Sequence, residues 1–142
     1  MVDIVDSETR SRMMSNIRGK DTKPEMMLRR ALHAHGFRFR LHRKGLPGRP
    51  DLVFPKHRAA VFVHGCFWHR HPDCSKATTP ATRAEFWQNK FTENTARDQR
   101  NINQLQKAGW RVLVVWECEL AKSSIGSTVD RVSDWLVGGE IS

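Results

Sequence analysis

The chain has 142 residues, of which 24 are lysine or arginine and 15 are aspartate or glutamate, so its formal net charge is +9. With 39% hydrophobic and 27% charged residues, the composition excludes disordered, collagen-like and low-complexity proteins, and no apolar run approaches the ~20 residues of a membrane helix. The length fits one domain, the first residues lack an apolar signal segment, which predicts a cytoplasmic protein, and the positive charge favours nucleic acid as partner.

The first half of the chain predicts a helix followed by three strands. Residues 7–18 are expected to form a short basic helix or arm, and residues 22–36 a helix that a capping box opens and a glycine ends. Apolar and polar residues alternate over 37–41, which indicates a half-buried strand. Residues 51–54 and 59–64 are apolar strands separated by a four-residue turn, so we expect them to pair as a hairpin.

The second half predicts a long loop, two helices and one strand. The loop over 65–81 would need an internal staple to stay ordered. A second capping box opens a helix over 82–108, which a glycine ends. A buried strand follows at 111–117 and a short amphipathic helix at 128–137. Without repeats or a linker, this order predicts a single α/β domain.

Three cysteines and a histidine-rich loop predict a structural zinc site. Cys66, His71 and Cys74 form a C-x4-H-x2-C pattern, and Cys118 follows the apolar strand. Three thiols and one imidazole make a closed tetrahedral site, which is structural rather than catalytic. We expect His71 to be the imidazole ligand, with His69 as the alternative. The competing interpretation is three buried free thiols beside surface histidines.

A carboxylate and an imidazole meet at one end of the predicted hairpin. Antiparallel pairing across the turn puts Asp51 opposite Phe62, next to Val63 and His64. Alone, this arrangement could be a capped strand end beside an exposed histidine. Further polar groups that converge on the same place favour a functional site.

The long helix contributes an acid on an apolar face. Trp87, Phe91, Ile102 and Leu105 lie on one side of this helix together with Asp98. An inward-facing acid needs a partner, because its burial costs several kcal/mol otherwise. The pattern leaves open whether Asp98 belongs to a site or pairs with a neighbouring arginine.

Five residues together form a set of hard ligands and candidate general bases. They are Glu25, Asp51, His64, His69 and Asp98. Glu25 alone would be explained by the capping box. Oxygen ligands suit Mg²⁺ and thiols suit zinc, so two different metals are predicted. A carboxylate-bound Mg²⁺ can polarise a phosphodiester and a histidine can activate water, which with the basic charge indicates a nuclease.

Two adjacent aromatic residues in a polar loop are candidates for DNA contact. Phe67 and Trp68 can either pack on the zinc loop or act as a wedge between base steps. A mispaired step is easier to open, so a wedge also senses mismatches. From its place on the apolar stripe, Trp87 is more typical of a core residue.

Four runs of the sequence provide a further indication. They are LPGRPD at 46–51, VHGCFWH at 63–69, TRAEFW at 82–87 and GWRVLVVWEC at 109–118. These runs, in this order, resemble the very-short-patch-repair (Vsr) mismatch endonucleases. The resemblance extends from about residue 9 to residue 120. The resemblance implies a restriction-endonuclease-like α/β fold with a mixed central sheet flanked by helices. It also implies nicking of DNA beside the thymine of a T:G mismatch left by deamination of 5-methylcytosine.

Carried over position by position, the resemblance implies the catalytic roles. Asp51 would hold the catalytic Mg²⁺ together with the backbone carbonyl of Val63, a position where the family often carries threonine. His64 would position metal-bound water, and His69 would be the base that activates the attacking water. The supporting acids would be Glu25 and Asp98.

The resemblance also implies zinc and DNA contacts. The structural zinc ligands would be Cys66, His71, Cys74 and Cys118. The intercalating aromatic residues would be Phe67, Trp68 and Trp87. Met14, on the N-terminal arm, would wedge from the other groove, and Lys90 and Asn94 would face the recognised bases.

The implied protein is one mismatch endonuclease domain over residues 1–142, with an arm at 1–20, a catalytic core at 21–120 and a C-terminal helix at 121–142. Its partner would be double-stranded DNA containing a T:G mismatch. We expect a nucleoid-associated monomer that works with mismatch-repair proteins, since an asymmetric mismatch needs only one strand cut. Three alternatives stay open: a zinc-stapled DNA-binding module without catalysis, a nuclease of the same fold that needs no mismatch, and a histidine-metal nuclease built on residues 64–69.

Overall fold

A computed structural model describes residues 22–138, and within this range four strands form one mixed sheet with helices on both faces. The predicted arm and Met14 lie outside the described residues. None of the described helices combines the length and apolar character needed to cross a membrane. The elements in chain order are α1 (Lys23–Ala34), β1 (Arg40–Leu41), β2 (Leu52–Phe54), β3 (Ala59–His64), α2 (Ala84–Lys107), β4 (Arg111–Trp116) and α3 (Ile125–Leu136).

The sheet follows the chain order β1-β2-β3-β4. The first two pairings are antiparallel, and β3 and β4 are parallel because α2 carries the chain from one to the other. Phe54 faces Ala59 and Leu52 faces Val61 across the hairpin, so the predicted register is confirmed. Arg58 closes the turn in the left-handed conformation, with φ of 49°.

Strand β3 is buried on both faces, which explains its unbroken apolar sequence. Ala59 and Val61 pack in the cluster that α1 and α3 cover, whereas Ala60 and Phe62 pack in the cluster that α2 covers. The α1 and α3 residues of the first cluster include Leu28, Leu32, Val129 and Val132. The two cores hold β3 rigidly, and its carboxyl end, at His64, is where the functional residues converge.

The two predicted capping boxes have different outcomes. The Thr22 hydroxyl accepts a hydrogen bond from the Glu25 amide at 3.4 Å, so Thr22 caps α1 as predicted. The Glu25 side chain does not return to the cap, because it is buried and bonded elsewhere. At α2 the predicted box is wrong: Arg83 is the N-cap residue, with φ of 57° and no side-chain capping bond.

The predicted strand over 37–41 is too long, since only residues 40 and 41 pair with β2. Phe37 and Phe39 instead pack edge-on against Phe54, at ring-centroid distances of 6.3 and 5.5 Å. Their alternation with arginines therefore reflects core packing without strand pairing. The last helix starts three residues before the predicted position, at Ile125, and β4 ends one residue earlier than predicted, at Trp116.

Candidate active site and metal centre

Four side chains of the central loop and the end of β4 converge as a candidate metal centre. One ligand atom each from Cys66, His71, Cys74 and Cys118 lies within 4.8 Å of the others. His71 Nδ1 is 3.5 Å from the Cys66 sulfur and 3.4 Å from the Cys118 sulfur. Tetrahedral Zn²⁺ with ordinary bond lengths places a sulfur and a nitrogen ligand about 3.6 Å apart. The four side chains therefore fit zinc, with His71 in the position predicted for it.

Hydrogen bonds of the main chain hold the loop over residues 65–81 in this shape. The Cys66 amide donates to the Glu117 carboxylate at 3.0 Å, and the His71 amide donates to the Cys66 carbonyl at 3.0 Å. The His71 ring stacks on Trp116, with centroids 4.3 Å apart. Burial raises the pKa of the Cys66 thiol to about 12, and a bound dication would reverse that preference by favouring the thiolate.

A second cluster surrounds the carboxylate at the start of β2. Asp51 Oδ2 accepts a hydrogen bond from the Val63 amide at 2.7 Å, and Asp51 Oδ1 lies 3.7 Å from His42 Nδ1. His42 Nε2 in turn lies 3.0 Å from Glu25 Oε2, and Arg29 donates to the same oxygen at 3.1 Å. Glu25 is only 1% exposed, so its carboxylate is enclosed by these partners.

The electrostatics of this cluster fit a hard cation. Burial raises the pKa of Asp51 to about 7, and the neighbouring Glu25 carboxylate also raises it, against the lowering effect of the Val63 amide. Two carboxylates held close together out of bulk water are destabilised unless positive charge compensates them. Carboxylate oxygens are the ligands that Mg²⁺ prefers in proteins. Asp51 is thus a candidate ligand for such an ion.

A third cluster joins the end of β3 to α2. His69 Nδ1 lies 2.5 Å from Asp98 Oδ2, and the His69 ring stacks on His64 with centroids 3.9 Å apart. Asp98 therefore pairs with a histidine, which answers the question that the helix pattern left open. An ionised Asp98 requires Nδ1–H on His69, so Nε2 carries the lone pair of the neutral ring. Burial, followed by the proximity of His69, lowers the pKa of His64 to about 3, so His64 is neutral.

The second and third clusters are attached to neighbouring residues of β3. Val63 binds the Asp51 carboxylate through its amide, and His64 begins the His64–His69–Asp98 cluster. A carboxylate pair and a histidine pair thus lie at one end of the sheet. Their side chains and their partners come from α1, the β2–β3 hairpin, the following loop and α2. This combination can bind a cation and accept a proton from water.

The candidate wedge residues are packed together against α2. Phe67 lies 5.0 Å from Trp68, 5.8 Å from Trp87 and 5.2 Å from Phe91, measured between ring centroids. Trp68 is only 6% exposed, so its ring is packed inside this aromatic cluster and does not project from the surface. The Arg70 guanidinium covers the cluster, 4.0 Å from the Phe91 centroid. Intercalation by the buried Trp68 ring would require the cluster to open.

The two α2 residues predicted to face the recognised bases, Lys90 and Asn94, differ in burial. Asn94 is 2% exposed; its amide nitrogen donates to the Trp68 carbonyl at 3.2 Å, and its oxygen accepts from Arg97 at 3.0 Å. This placement makes Asn94 a support for the aromatic loop and argues against direct base contact in this conformation. Lys90, one turn earlier, is half-buried.

His42 is a site residue that the sequence analysis missed. A usable signal was present, because Leu41 pairs with Leu52 and the next step of that register puts residue 42 opposite Asp51. Extending the predicted strand by one residue would have found it. What the pattern could not indicate is the contact of His42 with Glu25, which depends on the packing of α1.

Comparison with known proteins finds a family model described as DNA mismatch endonuclease Vsr, which matches residues 2–76. The chain is 48% identical over 136 residues to the Type II nicking enzyme V.XorIIP of Xanthomonas oryzae pv. oryzae, covering 96% of this chain and 98% of that one. It is 44% identical over 141 residues to the DNA mismatch endonuclease Vsr of Escherichia coli K12, covering 97% and 90% of the two chains.

Among solved structures, the catalytic domain of the homing endonuclease I-Bth0305I is similar to this chain, with a TM-score of 0.57. The likeness covers 82% of this chain and 96% of that one at 20% identity, so it bears on the fold alone. Together with the mixed sheet and its flanking helices, it confirms the predicted restriction-endonuclease-like α/β class.

Proposed function

The chain belongs to the DNA mismatch endonuclease Vsr family and is a DNA endonuclease, and we propose that it is Mg²⁺-dependent and nicks one strand beside the thymine of a T:G mismatch. Such mismatches arise when 5-methylcytosine is deaminated, so the nick would start very short patch repair. One observation carries the catalytic part of the proposal: the Asp51 carboxylate accepts a hydrogen bond from Val63, and the next residue, His64, belongs to the His64–His69–Asp98 cluster.

Asp51 and the backbone carbonyl of Val63 would hold the Mg²⁺ ion. When bound, that ion would polarise the scissile phosphodiester and stabilise the charge that develops on it. The backbone carbonyl serves this role whatever the side chain, so valine at position 63 is compatible with it. The raised pKa of Asp51 supports a cation partner, since burial beside Glu25 destabilises its ionised form.

His69 is the proposed general base. Its Nδ1 is engaged by Asp98 at 2.5 Å, which orients the ring and leaves Nε2 to accept the proton of the attacking water. His64, stacked on His69 and neutral, would position that water by hydrogen bonding without adding charge. Glu25, which lies 3.0 Å from His42 and close to Asp51 in the same cluster, would support Asp51.

The proposal includes a structural zinc ion at Cys66, His71, Cys74 and Cys118, supported by the nitrogen–sulfur distances of 3.4 and 3.5 Å. It also includes DNA contacts by Met14, Lys90 and the rings of Phe67, Trp68 and Trp87. The protein would act as a cytoplasmic, nucleoid-associated monomer of one domain, upstream of mismatch-repair proteins. The charge of +9 supports DNA binding through phosphate contacts.

The test is nicking of a strand-labelled duplex carrying one T:G pair, compared with the same duplex carrying T:A. We expect a single nick beside the mismatched thymine that requires Mg²⁺. Asp51→Asn should abolish nicking while retaining duplex binding. Equal cutting of both duplexes would indicate a nuclease without mismatch requirement, and binding without cleavage under any divalent cation would indicate a DNA-binding module; either result would reject the proposal.

A further inference from the structure

The ring of His42 lies between the two carboxylates of the Asp51 cluster. Its Nε2 is 3.0 Å from Glu25 Oε2 and its Nδ1 is 3.7 Å from Asp51 Oδ1. The side chain is 14% exposed. None of the catalytic roles described above uses this residue.

The main chain of His42 also takes part in this placement. Its φ of 46° lies in the left-handed region, which residues other than glycine adopt uncommonly. Its amide donates to the Asp51 carbonyl at 3.2 Å, so both the main chain and the side chain of His42 contact Asp51. Unusual backbone conformations persist where the surroundings hold them, and they are concentrated at functional sites.

The two ring nitrogens of His42 face two different carboxylates, as a bridging residue requires. The ligand atoms of Glu25, His42 and Asp51 lie within 4.8 Å of one another, so direct ligation by His42 is the competing role. Asp51 Oδ2 accepts a hydrogen bond from the Val63 amide, and Asp51 Oδ1 faces His42 Nδ1 at 3.7 Å, which is too long for a direct hydrogen bond. Groups that orient metal-binding carboxylates in this way commonly change metal affinity or activity by about 10- to 100-fold when removed.

We propose that His42 is a positioning residue that bridges Glu25 and Asp51 and orients the Asp51 carboxylate toward the catalytic cation. This inference rests on the proposed function, because it assumes that Asp51 binds the ion. In this role His42 acts through Asp51 and does not itself ligate the ion.

The test compares two substitutions of similar length. His42→Gln keeps an N–H donor able to reach Glu25, and His42→Met fills similar space without a donor. The matched control is His35→Ala, an exposed histidine at the end of α1. All chains are first checked for folding by circular dichroism and thermal unfolding, and Mn²⁺ binding in the absence of DNA is then titrated by electron paramagnetic resonance.

We expect His42→Met to weaken Mn²⁺ binding by about 10- to 100-fold, with His42→Gln within about threefold of the unaltered chain and His35→Ala unchanged. Unaltered binding by His42→Met would overturn the proposal. Binding by His42→Gln that is tenfold weaker or worse would also overturn it, because the imidazole would then act as a ligand. This second criterion applies even if His42→Met does not fold.

Nicking of the T:G duplex separates this inference from the proposed function. In single turnover, His42→Met should slow cleavage and raise the Mg²⁺ concentration needed for half the maximal rate, with duplex affinity unchanged. A purely structural role would alter thermal stability without moving that concentration. If the unaltered chain nicks no duplex while His42→Met still weakens Mn²⁺ binding, the proposed function fails and the bridge stands. If the unaltered chain nicks the T:G duplex and His42→Met binds Mn²⁺ as tightly as the unaltered chain, the proposed function stands and the bridge fails.

Discussion

Replacing Asp98 by asparagine removes the charge that faces His69 with little change of shape. The His69 Nδ1–Asp98 Oδ2 contact is 2.5 Å, and both side chains are mostly shielded, with exposures of 24% and 17%. Hydrogen bonds to a charged group contribute about 1.5–3 kcal/mol. At about 1.36 kcal/mol per tenfold change in rate, loss of this bond should slow nicking by about 10- to 150-fold if His69 is the base.

The asparagine side chain adds a second effect. Its amide can donate to His69 Nδ1, and the ring would then carry its proton on Nε2, where it cannot accept one from water. The total loss is bounded by the contribution of the base itself, about 10²–10⁴-fold. We therefore expect Asp98→Asn to slow nicking by at least tenfold, and by no more than His69→Ala does.

The assay is single-turnover nicking of the labelled T:G duplex at saturating enzyme, with duplex affinity measured separately. Glu93→Gln is the matched control, since it removes one negative charge from an exposed position of the same helix. The double variant with His69→Ala should be no slower than His69→Ala alone, because the two residues act as a unit. Nicking by Asp98→Asn at the unaltered rate, or losses that multiply in the double variant, would refute the assignment.

Three further predictions concern stability. Cys118→Ser should lose the single zinc ion expected per chain by elemental analysis and lower the thermal midpoint, because zinc binding and folding are coupled; full zinc content in this variant would contradict the site. Both Gly48 and Gly36 have positive φ, so alanine at either position should cost about 1–2 kcal/mol. Only at Gly48 does the added Cβ come within 2.9 Å of Asn101. Gly48→Ala should therefore lower the free energy of unfolding in urea more than Gly36→Ala does. Leu105→Ala, on the buried face of α2, should lower the free energy of unfolding by about 2–5 kcal/mol. A loss below about 1 kcal/mol would show that this core collapses around the gap.

Local spacing predicted the parts of the site that lie close in sequence. The apolar runs on either side of a four-residue turn were enough to place Asp51 beside Val63, because the side-chain period of a strand admits only one register with both runs buried. The Cys66–His71–Cys74 spacing likewise indicated a metal-binding loop, and Cys118 lies with it as expected.

The same local patterns failed where distant groups compete for a side chain. Glu25 matched a capping box, yet its carboxylate points inward to His42 and Arg29. The capping box predicted before α2 did not form at all. A capping motif indicates only which backbone groups a side chain can reach within its own helical turn. It does not predict contacts with residues that are distant in sequence.

The sequence by itself determined the hairpin register and the family, and it predicted two clusters of candidate metal ligands. Only the tertiary structure decided that Asp98 pairs with His69, 29 residues away, that Asn94 is buried under Trp68, and that His42 joins two carboxylates. The physical reason is that strand register follows from a period of two residues and a short turn. The partners across α1, α2 and the long loop instead depend on how the two cores on either side of β3 pack, and that packing is a property of the whole chain.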